Sequence, residues 1–484
     1  MQKDISRKLG QAIKWSSLAE IIAKLIAPVT NAILARILIP KAFGVVATLT
    51  MVVSFAEVFT DAGFQKYLVQ HEFENDEDFD VATDVAFWTN FIVSMLIWLG
   101  IAVFATPITN LVGSPGCEEA VVVMSMQIPV LAFSSIQIAR YRRAFEFKQL
   151  FIARISTALV PLIITVPLAL YYRSYWALVI GTLTRDILNA VILSLKSEWK
   201  PRFVYNIFVL KEMFSFSLWT LIENITIWLC LNADVFIVSR FLDAFYMGVY
   251  KTSIATVNSL MSLITASTTP VLFSALSRCQ NDENEFKDVL YSFQKRVSLI
   301  AFPLGFGVYV FRELVTSILL GSQWTEAVEL LGMWALVSAL GIIFHNYNSE
   351  VMRSKGRPKL SVLTQVLHIV VLIPVLIVYV QRGYQELAVA RCLVHFEMVL
   401  VSSTIVYCFF KLSFLNTVKN VLPQLLSSIV MALVGIKLRT FAAGLLWELI
   451  SILLCCFVYA GCMLILPNGR KQIKELPIIG NIIR

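Results

Sequence analysis

Charged and amide side chains stand at helical spacing inside some of the most apolar stretches of this sequence. In residues 16–38, Glu20, Lys24 and Asn31 fall within about 40° of arc when each residue turns a helix by 100°. A charge at mid-bilayer costs about 2.5–3.5 kcal/mol, so this stripe predicts a helix face that meets water or a ligand. On such a face a lysine supplies positive charge, and a carboxylate can hold a proton or a cation.

Further apolar stretches carry comparable polar side chains. They are Glu57 and Asp61 in the second stretch, Glu223, Asn224 and Asp234 in the seventh, and Lys251 and Asn258 in the eighth. Arg185 lies near the middle of the sixth stretch, and Arg391 enters the twelfth less deeply. Asp186 points about 100° away from Arg185 on a helix, which predicts a poor partner for that arginine.

Polar faces on several helices predict a shared water-filled cavity between them. The alternative interpretation is helix packing. Serine and threonine stripes also hold membrane helices together, and Glu20 and Lys24 have the spacing of an ion pair within one helix.

The composition is that of a polytopic membrane protein. Of the 484 residues, 58% are apolar and 15% are charged, whereas about a quarter of the residues of soluble proteins are charged. The mean hydropathy is +0.76. The net charge of +8 is explained by lysines and arginines that hold cytoplasmic loops, so we expect no nucleic-acid partner. The first apolar run has spanning length, so no cleavable signal peptide is expected.

At about 20 residues per membrane-spanning helix, the sequence predicts an all-α protein with about 14 transmembrane helices. They lie near 12–38, 43–65, 81–105, 118–138, 155–171, 174–195, 213–238, 247–272, 298–319, 325–345, 360–380, 385–410, 421–438 and 443–466. The longest expected connection runs from about Phe273 to Val297. Most of the 40 lysines and arginines lie in the loops on one side, which places both termini in the cytoplasm.

The chain contains an internal duplication. The offset that brings Arg36 onto Arg240 also brings Gly44 onto Gly248, and "RSYWAL" at 173–178 matches "RGYQEL" at 382–387. These matches predict two parallel six-helix repeats around a central cavity, with two extra C-terminal helices. The expected parts are an N-terminal lobe, a C-terminal lobe and a segment with the last two helices and a cytoplasmic tail: residues 1–200, 201–412 and 413–484.

Little in the sequence favours an enzyme. No glycine-rich phosphate loop ends in Lys-Ser or Lys-Thr, and the expected connections are too short for a soluble domain. The eight cysteines lack metal-ligand spacing. The four histidines, His71, His345, His368 and His395, are far apart in the sequence. We therefore predict a protein that is not an enzyme and that needs neither a metal nor a cofactor.

Several phrases resemble the polysaccharide-transport branch of the multidrug/oligosaccharidyl-lipid/polysaccharide exporter superfamily, which includes the Wzx-type flippases for O-antigen, capsule and exopolysaccharide repeat units. They are "ARILIPKAFGVVATL" at 35–49, "FTDAGFQKYLVQ" at 59–70, "YRRAFEFKQL" at 141–150, "NADVFIVSRFLDAFYMGVYK" at 232–251 and "PVLFSALSR" at 270–278. The resemblance covers nearly the whole chain.

The resemblance implies a substrate and a mechanism. An oligosaccharide on undecaprenyl pyrophosphate would enter from the cytoplasm, and rocking of the two halves would expose it across the bacterial inner membrane by alternating access. The residues expected to bind the pyrophosphate and sugar are Lys24, Lys251, Arg185, Asn31, Asn258 and Arg391. An H+ or Na+ gradient would drive transport, with Glu20, Glu57, Asp61, Glu223 and Asp234 as candidate ion sites. The polymerase and chain-length regulator of the same pathway would be candidate partners.

Three other functions fit parts of the sequence. A lipid II flippase would share the mechanism and differ in the head group. A multidrug or cation antiporter would favour a cavity dominated by acids, against which the deep lysines argue. A membrane polymerase or ligase would be comparably apolar but would be expected to carry a large periplasmic loop with catalytic arginine or histidine.

Overall fold

The computed structural model describes residues 26–61, 64–466 and 469–470. Over these residues it contains α-helices, two π-helical segments and no strand, which confirms the predicted all-α membrane fold. In this part of the chain twelve helices can cross a membrane, or up to 13 if a bent pair is one span. Of the first predicted helix only Ile26–Ile37 is described, so the number of 14 stays a prediction.

The chain forms two compact units, Met1–Lys251 and Thr252–Arg484, which divide inside one long helix. The predicted lobe boundaries at residues 200 and 412 stay a prediction. The helices described in the first unit are α1 (Ile26–Ile37), α2 (Pro40–Asp61), α3 (Phe64–Gln70), α4 (Asp76–Val103), α5 (Ala105–Leu111), α6 (Glu118–Ser125), α7 (Gln127–Arg143), α8 (Phe147–Val160), α9 (Val166–Tyr172), α10 (Trp176–Lys196), α11 (Ile207–Phe241) and the start of α12 (Ala244–Arg278).

The fifth predicted span is longer than expected. It runs over Phe147–Tyr172, and the π-helical segment Pro161–Thr165 joins α8 to α9. Proline has no N–H to donate to the preceding turn, and such gaps are where π-bulges and kinks form.

The second unit contains the rest of α12 and eight further helices. They are α13 (Glu283–Val310), α14 (Arg312–Leu319), α15 (Ala327–Gly341), α16 (Tyr347–Ser354), α17 (Pro358–Val380), α18 (Tyr384–Phe410), α19 (Phe414–Arg439) and α20 (Leu445–Ile465). A second π-helical segment, Ile342–Asn346, joins α15 to α16 within one span. The closest packed pairs in this unit include α17 with α18 and α13 with α19.

The expected connection between Phe273 and Val297 is helical over most of its length. Helix α12 continues to Arg278, and α13 already begins at Glu283. The side chain of Asp282 accepts hydrogen bonds from the backbone N–H groups of Asn284 and Glu285, which is an N-cap. Hydropathy marks where a helix leaves the apolar layer, whereas capping decides where the helix ends.

The ninth predicted span, 298–319, is also not one straight helix. It breaks at Phe311, and α14 leaves α13 at an angle of 90°. Arg312 then forms an ion pair with Glu329 at 3.0 Å. Glu313 pairs with Arg439 at 2.6 Å. These charges therefore hold α14 against neighbouring helices.

Candidate functional site

Arg185 lies near the middle of α10, about 14 Å from its first residue and about 17 Å from its last at 1.5 Å per residue. Its Nε donates to Asp186 Oδ1 at 3.0 Å, so the prediction that Asp186 is a poor partner is wrong. The long arginine side chain bends back across the angle that separates the two Cβ atoms. Asp186 is 10% exposed and Arg185 47% exposed, so the guanidinium is neutralised on one edge and open on the other.

Arg185 opens into a cleft of about 330 Å³ between α7, α8 and α10. Two more arginines line it, Arg142 in the last turn of α7 and Arg154 about 10 Å along α8 at 1.5 Å per residue. Its other lining residues include the polar Thr157 and Asn189 and the apolar Phe147, Leu150 and Phe151. Guanidinium groups bind phosphate oxygens in pairs. The cleft, which we call the arginine cleft, therefore suits an anionic head group beside an apolar chain.

Helical spacing in the sequence identifies Arg185, but the predicted fifth span, 155–171, leaves Arg142 and Arg154 in the connection before it. The structure places Arg154 on the helical stretch Phe147–Tyr172, which is long and apolar enough to cross a membrane. A helix that starts at Phe147 rather than near 155 moves this arginine from the connection onto the helix. The start of α8 is therefore the information that the sequence analysis lacked.

Not every predicted residue falls within the described part of the chain. Glu20 and Lys24 lie outside the described residues, as do the side chains of Asp61 and Glu223. Asn31 is exposed on α1. Lys251 is half-buried on α12. The expected cavity between the two halves stays a prediction.

Two predicted ion-binding carboxylates are held by neutral donors in the first unit. Glu57 on α2 accepts a hydrogen bond from Gln127 Nε2 at 3.1 Å. Asp234 on α11 accepts one from the hydroxyl of Tyr250 at 2.9 Å, and Tyr250 is fully buried. Neutral donors stabilise a carboxylate without cancelling its charge.

A charged network ties the connection before α11 to α4. Asp84, which is 0% exposed, accepts from the backbone N–H of Arg202 at 3.1 Å and from its Nε at 3.0 Å. Nearby, Tyr67 donates its hydroxyl to Glu212 at 3.1 Å. Burial, followed by that carboxylate, raises the pKa of Tyr67.

In the second unit, Trp334 joins two predicted substrate residues. Its Nε1 donates to Asn258 Oδ1 at 3.0 Å. The guanidinium of Arg391 lies 4.7 Å from the centre of the Trp334 ring, within the range of a cation–π contact. His395 meets the same ring edge-on at 5.2 Å. Asn258 and Arg391 are far apart in the sequence, yet both contact the indole of Trp334.

Sequence reasoning missed a pair of ionisable residues at mid-span. His368 on α17 and Glu397 on α18 lie 2.9 Å apart, Nδ1 to Oε2, and each is near the midpoint of its helix. The criterion that found Arg185, an ionisable residue deep in an apolar stretch, applies equally to both. Among the described residues no group of three or more His, Cys, Asp or Glu is arranged to hold a metal ion.

The geometry defines a multi-pass helical membrane protein with cationic and ionisable groups inside its spans. Residues 33–329 match the model of a family described as polysaccharide biosynthesis protein, and the chain belongs to that family. This confirms the resemblance seen in the sequence.

Several proteins named for the biosynthesis of surface polysaccharides are similar to the chain over much of its length. The succinoglycan biosynthesis transport protein ExoT of Rhizobium meliloti (strain 1021) is 26% identical over 69% of this chain and 66% of its own length. The teichuronic acid biosynthesis protein TuaB of Bacillus subtilis (strain 168) is 22% identical, with 74% and 73% covered. The lipopolysaccharide biosynthesis protein WzxC of Escherichia coli (strain K12) is 20% identical, with 77% and 75% covered.

Solved structures share the fold. A lipid II flippase MurJ in an inward closed conformation matches with a TM-score of 0.75 at 16% identity, covering 98% of this chain and all of that one. An inward-facing multidrug resistance MATE transporter matches with a TM-score of 0.60 at 11% identity, covering 85% and 98%. At these identities the likeness concerns the fold alone.

Proposed function

We propose that this protein moves a lipid-linked saccharide across its membrane during polysaccharide synthesis. The observation that carries the proposal is the arginine cleft in a chain of the polysaccharide biosynthesis family. Arg154 and Arg185 stand on helices that are long and apolar enough to cross a membrane, and an unused charge at mid-membrane would cost about 2.5–3.5 kcal/mol. The names of ExoT and WzxC, which mention transport of succinoglycan and synthesis of lipopolysaccharide, support the same class of substrate.

More specifically, the substrate is an oligosaccharide repeat unit on undecaprenyl pyrophosphate. Its pyrophosphate first meets Arg142 at the end of α7 and then reaches Arg154 and Arg185 deeper in the cleft. The bonds that Arg185 makes to Asp186 hold the guanidinium in place before the anion arrives. The apolar wall of the cleft keeps the isoprenoid chain next to lipid.

The remaining predicted residues act later on the same path. Lys24 and Lys251 hold the pyrophosphate between the two halves, and Asn31 and Asn258 hydrogen-bond the sugar. The halves then expose the head group to the other side of the bacterial inner membrane, and both termini stay cytoplasmic. No covalent bond of the lipid or the sugar changes, because the residues named bind and orient without attacking any atom.

The test is a transport assay with purified protein in liposomes that contain lipid-linked oligosaccharide. We expect the sugar to become accessible to an external lectin while the mass of the lipid-linked product is unchanged. Arg185→Ala should slow this at least tenfold and Arg185→Lys less, because charge is kept. Arg382→Ala, in an exposed turn between α17 and α18, is the matched control. A longer glycan made by this protein alone, or no movement by the parent protein, would overturn the proposal.

Lipid II serves as the competing substrate in the same assay. It carries the same polyprenyl pyrophosphate and a different sugar, so the arginine cleft accepts both. Hydroxyl- and amide-bearing residues that hydrogen-bond the sugar would then distinguish lipid II from the repeat unit. Faster movement of lipid II than of every repeat unit tried would replace the proposed substrate with the peptidoglycan precursor.

A further inference from the structure

Three of the four histidines of this chain gather between the helices of the second unit. His345 lies in the π-helical segment Ile342–Asn346, His368 on α17 and His395 on α18. His395 is close enough to interact electrostatically with both of the others. The three histidines lie on three different helical segments, so only the packing of those segments brings them together.

The pair His368–Glu397 is the centre of this histidine cluster. The 2.9 Å between Nδ1 and Oε2 fits a charge-assisted hydrogen bond. His368 is 8% exposed and Glu397 22% exposed. The other carboxylate oxygen, Oε1 of Glu397, is buried and has no hydrogen-bond partner among the described residues. The imidazole and the carboxylate are therefore in direct contact and can share one proton between them.

The π-helical segment presents His345 to the same place. A π turn leaves its carbonyl groups poorly paired along the helix. Here side chains from neighbouring helices donate hydrogen bonds to two of these carbonyl groups. Gln294 on α13 donates to the carbonyl of Ile343, and Ser402 on α18 donates to that of Phe344. His345 Nδ1 is buried without a hydrogen-bond partner in the described part of the chain. The segment is therefore fixed by its backbone while its imidazole stays available.

Trp334 connects the cluster to a predicted substrate residue. It contacts His395 and Arg391 with its ring and donates its Nε1–H to Asn258. Gly341, two turns further along α15, has no room for a side chain because a Cβ there would lie 2.6 Å from His395 Nε2. A change of charge at His395 therefore acts directly on the indole ring of Trp334, which donates a hydrogen bond to Asn258.

We propose that the His368–Glu397 pair, with His345 and His395, binds the proton whose movement drives transport. The inference rests on the proposed function and selects H+ rather than Na+ as the coupling ion. Ionisable residues that face one another at mid-membrane form the proton relays of pumps and transporters, and imidazole is the side chain that titrates between pH 5 and 8. Nitrogen donors also favour a proton over sodium, which prefers oxygen ligands.

The charge balance of the step is simple. Without the proton, neutral His368 and ionised Glu397 carry one negative charge; with a proton on the imidazole the pair has no net charge. On the periplasmic side an O–H bond of hydronium breaks as the imidazole N–H bond forms; on the cytoplasmic side that N–H bond breaks as the proton returns to water. The lipid-linked saccharide moves in the opposite direction.

The other charges around the cluster set its response to pH. On α18 the nearby charge is Arg391, which acts on His395. On α16, Glu350 and Arg353 form an ion pair at 3.0 Å. The contacts recorded from α12 and α13 are made by the neutral Asn258 and Gln294.

The first experiment measures transport in liposomes with an imposed pH gradient or an imposed sodium gradient. We expect the pH gradient alone to accelerate the parent protein at least tenfold. Glu397→Gln and His368→Gln should lose that acceleration and keep the slow movement seen without a gradient. Glu397→Asp should recover part of it, and Glu386→Gln, exposed in the first turn of α18, should behave as the parent. Acceleration by sodium alone, or full acceleration in both Gln variants, would overturn the proposal.

The second experiment needs no transport. His395 contacts the Trp334 indole, and a protonated imidazole quenches a neighbouring indole, so the fluorescence difference between the parent and Trp334→Phe should fall as the pH is lowered. Glu397→Gln should move the midpoint of that fall, and His395→Gln should remove it. A midpoint that is the same in the parent, Glu397→Gln and His368→Gln would overturn the proton site. Movement of the midpoint in a protein that transports no saccharide would leave the proton site standing and refute the proposed function.

Discussion

Gly44 and Gly248 lie against each other where the first turns of α2 and α12 meet. A Cβ atom on Gly44 would overlap the carbonyl of Ala244, and one on Gly248 would overlap the carbonyl of Pro40. The contact is symmetric, because the offset of the duplication that maps Gly44 onto Gly248 also maps Pro40 onto Ala244. The repeat read from the sequence is therefore present as a two-sided contact within the first unit, and both helices start at equivalent residues.

Alanine at either glycine should destabilise the protein. The overlapping atoms belong to backbone and cannot rotate away, so we expect a loss of about 1–3 kcal/mol for Gly44→Ala or Gly248→Ala. The measurement is the unfolding temperature in detergent. Gly100→Ala and Gly307→Ala are the controls, since no atom lies within 4 Å of a Cβ there. These controls should be neutral or more stable, because alanine forms helix better than glycine by about 1 kcal/mol. An unchanged unfolding temperature in Gly44→Ala would show that the contact is not tight.

Removal of either lysine of the predicted substrate path should reduce surface polysaccharide severely. Lys24→Ala and Lys251→Ala should still insert at normal levels, and the arginine replacements should keep more activity because charge matters first and shape second. Arg36→Ala should do less harm, since Arg36 lies about 160° from the stripe of Glu20 at 100° per residue. The measurement is complementation of a deletion strain at matched expression. Full complementation by both alanine variants would mean that the stripes serve packing.

Loss of the Arg202 side chain should be costly because Asp84 is completely buried. Arg202→Ala leaves that carboxylate with the backbone N–H as its remaining donor from this residue, and because the Arg202 side chain is itself 50% exposed the loss should be below the about 3–5 kcal/mol of a fully buried ion pair. Adding Asp84→Asn should restore most of the loss. Lys287→Ala, whose partner Glu283 is 77% exposed, should cost less than about 1 kcal/mol. Thermal unfolding of the three variants checks this, and equal effects of Arg202→Ala and Lys287→Ala would contradict it.

The predicted orientation can be tested with single cysteines in a variant without the eight native ones. The side chains of Glu119, Ser322, Asn281 and Asn416 are exposed, and the predicted topology puts the first two at the periplasmic ends of spans and the last two in cytoplasmic connections. If both termini are cytoplasmic, a membrane-impermeant thiol reagent added to intact cells should label cysteine at the first two positions only. Labelling at Asn281→Cys from outside would reverse the orientation.

The spans were predictable because a bilayer imposes a length. The twelfth predicted span, 385–410, is the helix Tyr384–Phe410, and the eleventh, 360–380, is Pro358–Val380. Predictions failed where the chain leaves the apolar layer. The bend at Phe311 and the cap at Asp282 depend on local hydrogen bonds and tertiary contacts rather than hydropathy.

The candidate site was only partly predictable for a related reason. The position of Arg185 in an apolar stretch identified it as a charge in a membrane span. The angle between neighbouring Cβ atoms, however, excluded Asp186 as its partner, and the two residues in fact form an ion pair. A single helical angle describes where a side chain starts, whereas a long flexible side chain decides where its charged end lies.

By itself the sequence determined that the chain crosses a membrane as helices, that it is duplicated and that it resembles polysaccharide transporters. These are properties of linear order, because hydropathy, repeats and short phrases are all read along the chain. Only the tertiary structure decided which polar groups meet. Glu397 finds His368, and Asn258 and Arg391 share Trp334, because packing fixes the rotation and the neighbours of each helix. Neither quantity is contained in the order of the spans.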